Sequence, residues 1–97
     1  MGTKAKKSHY ILAFRDTDHA MGQHVMDVLN AAWALEGVKF TLVPVDNRIH
    51  LHADDPQEGN ALSYKDTDSI RWQACVLCDS YRRLVTNRTE EKVTNPV

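Results

Sequence analysis

The stretch HYILAFRDTDHAMGQHVMDVLNAAWALEGVKFTLVPV, His9 to Val45, decides the fold. Its opening, His9-Tyr-Ile-Leu-Ala-Phe14, is β-prone and apolar on both faces. Tyr10, Leu12 and Phe14 point one way and His9, Ile11 and Ala13 the other, because side chains alternate along a strand. A strand apolar on both sides belongs in the interior of its sheet. Arg15-Asp-Thr-Asp18 breaks the run and offers N-cap residues whose charge suits the positive end of a helix. From Asp18 to Glu36 the period changes to that of a helix. Met21, Val25, Val28, Leu29, Ala32 and Leu35 fall on one face. Gly37 suits a left-handed residue just past the helix end. Val38, Phe40 and Leu42 then alternate with Lys39 and Thr41, as in a strand with one buried face. Pro44 ends that strand or puts it at an edge, since proline donates no ladder hydrogen bond.

Outward from this unit, Asp46 and Asn47 give turn chemistry before a second alternating run, Arg48 to Ala53. Ile49 and Leu51 face one side; Arg48, His50 and His52 face the other. With only Val45-Asp-Asn47 between the two runs, a hairpin is the economical reading. Residues 54–60, DDPQEGN, read as a loop, and Ala61–Lys65 as a short returning strand. A second helix is predicted from Asp68 to Thr86, with Ile70, Ala74, Leu77, Cys78, Tyr81, Leu84 and Val85 on one face. Aspartates open it and arginines close it, the favourable sense for the helix dipole.

The order is β-α-β-β-(β)-α. It predicts an α/β (α+β) two-layer sandwich: about four strands, mixed or antiparallel, with both helices on one face. Two topologies fit this order. A ferredoxin-like fold needs a last strand near Lys92–Val97, and a double-stranded-RNA-binding fold needs three strands between its helices. Residues 9–86 form the single domain expected of 97 residues, between a basic tail over 1–8 and a polar tail over 87–97.

Twelve basic and thirteen acidic side chains leave the chain near neutral, which removes the generic electrostatic argument for nucleic acid. Two cysteines three positions apart build no disulfide framework, so a reducing, cytoplasmic setting is the expectation. No apolar run approaches the roughly 20 residues that span a bilayer, and no apolar core follows Lys4, Lys6 and Lys7 to make a signal peptide. Asn87-Arg-Thr89 matches a glycosylation sequon by chance.

Several constellations resemble chemical sites and fall short. Cys75-Val-Leu-Cys78 has the spacing of a zinc or redox pair, but it lies mid-helix without a second pair. His50 and His52 could complete a Cys2His2 set only if sheet and helix turned them together. No metal or other cofactor is expected. Asp16-Thr-Asp18 after a strand resembles the opening of haloacid-dehalogenase-type phosphatases, but the later lysine and acidic motifs are missing. Asp54, Asp55 and Glu58 lack the alternate spacing of a calcium loop. No nucleophile–base pair or paired carboxylates appear, so an enzyme is not expected.

Two binding readings remain. Met26 and Trp33 sit off the core stripe of the first helix. Trp72 and Val76 sit one turn apart, opposite the core stripe of the second. Tryptophan and methionine are enriched at protein interfaces. These four residues, with Arg82 and Arg83 as a polar rim, suggest a non-enzymatic module that binds a protein partner or self-associates as a homodimer. Small single-domain chains of this kind often serve as adaptors, regulators or inhibitors, some of them phage-encoded. The alternative reading of the flanks is a wider core. The second reading is a small-ligand, nucleotide or nucleic-acid binder. It would use the helix starts after Arg15 and Lys65, or an outward sheet face carrying Arg48, His50, His52 and Lys39 with Tyr10 or Phe14 for stacking. Asp66 and Asp68 oppose it, because phosphate needs cations where they stand.

Overall fold

The computed structural model describes residues 7–56 and 60–94, with side chains described through Thr86. Its elements are β1 (Ser8–Arg15), α1 (His19–Ala32), β2 (Lys39–Val45), β3 (Arg48–Asp54) and α2 (Tyr64–Thr94). β1-β3-β2 is the spatial order of an antiparallel three-stranded sheet. Both helices pack on one face of it, so the chain is an α+β two-layer domain. The last strand in sequence is the central one.

Three strands form where about four are expected. Ala61–Ser63 has no regular structure, and Tyr64 already belongs to α2. The cause is local. Ser63 Oγ accepts from the Asp66 N–H at 3.1 Å, and Asp66 Oδ2 accepts from the Ser63 N–H at 3.1 Å. This reciprocal capping box starts the helix at Tyr64 instead of Asp68. The third strand of a double-stranded-RNA-binding topology is therefore not formed. The last strand of a ferredoxin-like fold is not formed either over the described part of its stretch, where the backbone is helical to Thr94. Residues 95–97 lie outside the described residues. So do residues 1–6 of the expected basic tail, whereas Ser8 belongs to β1.

β1 lies at an edge of the sheet, not in its interior, and the reason is a bulge. Tyr10 pairs with His52 and Leu12 with Leu51, so Ile11 is an extra residue in the ladder. The bulge reverses the alternation. Ile11 and Phe14 are buried, and Leu12 packs against the core beside them. Tyr10 and Ala13 stand opposite His52 and His50 on the outer face. The apparent apolarity of both faces is one apolar face interrupted by one residue.

The core lies between that inner face and the helices. Ile49, Leu51, Ala53 and Phe40 meet Met21, Val25 and Leu29 of α1 and Ile70, Ala74 and Cys78 of α2. Seven of these ten are at most 1 % exposed: Leu51, Ala53, Phe40, Val25, Leu29, Ile70 and Ala74. Gly22 is buried because Phe14 lies across it; a Cβ there would sit 3.3 Å from the ring. The stripe of α1 stops short of its predicted end. The helix ends at Ala32, and a 3-10 turn over Ala34–Glu36 swings Leu35 into solvent. Gly37 is left-handed, with φ 76°. The β2–β3 hairpin turns on Asp46 and Asn47, with Asp46 at φ 55°.

Candidate functional site

α2 presents different residues on each of its sides. Ile70, Ala74 and Cys78 point into the core. Gln73 lies toward α1, where its Oε1 accepts from Trp33 Nε1–H at 3.0 Å. Arg71 lies toward β1, where its Nη2 donates to Tyr10 O at 3.0 Å. Trp72 and Val76 are left on the side away from the sheet; the indole residue is 69 % exposed. At 3.6 residues per turn, Asp79 and Arg83 continue that side, and they pair with each other at 3.0 Å.

The four apolar residues expected to form one patch are thus divided. Met26 and Trp33 pack against the core as half-buried flanks. Trp72 and Val76 remain outside. The two arginines are divided as well: Arg83 shares the Trp72 side, while Arg82 turns toward the β1 edge. Leu84 is about half exposed, because this part of α2 lies beside the start of α1 rather than over the sheet.

Among the described residues no element covers the outer sheet face, which carries a ring cluster. Tyr10 and His50 meet edge to face with centroids 5.1 Å apart, and His50 and His52 stack at 6.1 Å. Ser8 Oγ lies 3.1 Å from His52 Nδ1. Lys39 and Arg48 lie at opposite ends of this face, with Thr41 and Val43 between them on β2 and Val45 opposite Arg48. Phe14 does not join it, being buried on the inner side.

The two helix starts are occupied by the chain's own groups. At α2 the Ser63–Asp66 box takes up the first donors, and Lys65 lies within the first turn. At α1 neither Asp16 nor Asp18 caps; Asp18 turns its carboxylate to Arg15 at 3.5 Å.

The cysteines and histidines lie on opposite faces of the sheet, so they do not meet. Among the described residues, no group of three or more His, Cys, Asp or Glu side chains is placed to hold a metal ion. Burial pushes the Cys78 thiol up, and the Arg82 guanidinium offsets this only in part. That is the direction of an inert thiol.

Among the described residues the polar side chain with most hydrogen-bond partners is Asp55, in the stretch expected to be a loop. Its Oδ1 lies 2.6 Å from His9 Nε2 and accepts from the Leu62 N–H at 3.2 Å. Its Oδ2 accepts from the Lys7 N–H at 3.3 Å. Burial alone would raise this carboxyl. The His9 hydrogen bond and charge, with the two backbone donors, outweigh it and hold the group below the usual carboxylate value. Asp55 is a structural clasp joining the start of β1 to the approach to α2.

No helix among the described residues is long and apolar enough to cross a membrane. No family model matches the chain, and neither a curated protein nor a solved structure matches it significantly.

Proposed function

We propose that this chain is a small, non-enzymatic protein-binding module, acting as an adaptor, regulator or inhibitor through the outer side of α2. The observation that carries the reading is the indole of Trp72, 69 % exposed and one turn from the exposed Val76. A large rigid aromatic in water gains most when a partner covers it. The Asp79–Arg83 pair beside it suits a polar rim. The partner is a larger protein or a second copy. The test compares the full chain with Trp72→Ala in sedimentation velocity and in capture from its host lysate. Self-association or a captured protein lost with Trp72→Ala, at unchanged circular dichroism, supports the reading. Identical behaviour of the two proteins refutes it.

A second reading rests on the Tyr10–His50–His52 cluster, with Arg48 and Lys39 on the same open face. Such a face can stack unpaired bases. Titration with oligouridylate and oligothymidylate separates the readings. Amide shifts confined to β1, β2 and β3 favour this one, and their absence removes it.

A further inference from the structure

The two edges of the sheet are treated differently. At β2, Asn30 of α1 imitates a neighbouring strand: its Oδ1 accepts from the Phe40 N–H at 2.8 Å and its Nδ2 donates to Phe40 O at 3.3 Å. Pro44 removes a further donor from β2. That edge is closed to added strands. At β1, Arg71 takes the carbonyl of Tyr10 beside the bulge. Beyond it, Leu12–Arg15 pairs with β3 on one side and has no backbone partner on the other among the described residues.

A cavity of about 520 Å³ lies against this free stretch, between β1 and α2. Arg15, Arg48 and Arg82 line it, against one carboxylate, Asp18. Arg15 and Arg48 stand directly opposite each other in the ladder. Like charges at that spacing repel. Asp18 pairs with Arg15, and no carboxylate pairs with Arg48 or Arg82 among the described residues.

We infer that the Leu12–Arg15 edge accepts an acidic, extended segment of another protein as an added strand, with a carboxylate seated among Arg15, Arg48 and Arg82. Main-chain hydrogen bonds to β1 supply the strand addition. The arginines supply selectivity, because guanidinium–carboxylate pairs form charge-assisted bonds. A second copy is the poorer occupant: its own β1 edge would bring another Arg15, Arg48 and Arg82 to the same place. The inference rests on the protein-binding reading only in taking a protein as ligand; it uses a different surface from Trp72.

The test selects ten-residue random peptides displayed on phage against the full chain. The strongest binder is then measured as a synthetic peptide. Enriched peptides are expected to carry Asp or Glu among β-prone residues. Affinity should fall about tenfold or more with Arg82→Glu, and similarly when the peptide's acid becomes its amide. Arg82→Gln should give an intermediate loss, and Trp72→Ala less than about a twofold change. Amide shifts and slowed exchange should centre on Leu12–Arg15. Binders without acidic residues, no enrichment, or shifts on α2 around Trp72 would overturn the inference, and the last would leave the helix-surface reading standing. A dimer in light scattering that already protects the Leu12–Arg15 amides would also overturn it, by assigning the edge to a second copy.

Discussion

Single side chains carry more of this fold than their types suggest. Asp55 holds three groups from two segments, so Asp55→Ala should cost about 1–3 kcal/mol, read as a lower urea midpoint. The pH dependence follows from the direction of its shift. The folded carboxyl ionises at lower pH than the unfolded one, whose reference value is 3.8. Its stabilisation is therefore complete above that value and lost as the pH falls through the lower, folded value. The gap in stability between wild type and Asp55→Ala should accordingly narrow on acidification below about pH 4. Asn30→Ala should cost about 1–2 kcal/mol in the same assay, since it strips two hydrogen bonds from a half-buried edge. Neither role was legible in the sequence. Asp55 stands in a run with ordinary loop composition, and Asn30 stands on a helix where its neighbours suggest only solvent. Asp55 reaches His9 and Lys7 nearly fifty residues back, and Asn30 reaches across the helix–strand connection to Phe40, neither of which a local pattern reports. The Ser63–Asp66 box, by contrast, has a local signal that the expectation of a strand over Ala61–Lys65 passed over: Ser-x-x-Asp before an apolar periodicity is a helix start.

Among elements, the tryptophans give the sharpest comparison. Trp33 is wedged between α1 and α2 with its N–H bonded to Gln73. Trp33→Ala should therefore destabilise by about 2–3 kcal/mol in thermal or urea unfolding. Trp72→Ala should stay within about 0.5 kcal/mol of wild type, because its ring is largely in solvent already. Equal losses would mean that α2 packs on both sides. Helical periodicity identified both residues as off the core stripes but did not distinguish them. A wheel gives an angle; whether a neighbour stands at that angle depends on how the helices cross. α1 and α2 meet on the Trp33 side, and among the described residues nothing stands over Trp72. The strands taught the opposite lesson. The alternation of Arg48–Ala53 placed Ile49 and Leu51 inside and His50 and His52 outside, as found. The bulge at Ile11 made β1 look like an interior strand, since a period of two cannot reveal one inserted residue.

For the whole molecule, the layer architecture was readable and the strand arrangement was not. Hydrophobic spacing fixes which faces are buried, but pairing order depends on loop lengths and on which partner closes first. The spatial order has a kinetic consequence. β1 and β2 share no edge; each bonds only to β3, which is translated after both. A nascent chain on the ribosome therefore holds two strands with no mate until Arg48–Asp54 emerges. The tight Asp46–Asn47 turn then lets the β2–β3 ribbon zip first, and β1 arrives by a longer closure. Ile49→Val should slow refolding, whereas Ile11→Val should chiefly hasten unfolding, as stopped-flow chevrons of the two variants will register. Until that late arrival, the greasy inner side of β1 waits undocked, and synthesis stalled before residue 48 should leave a species prone to clumping.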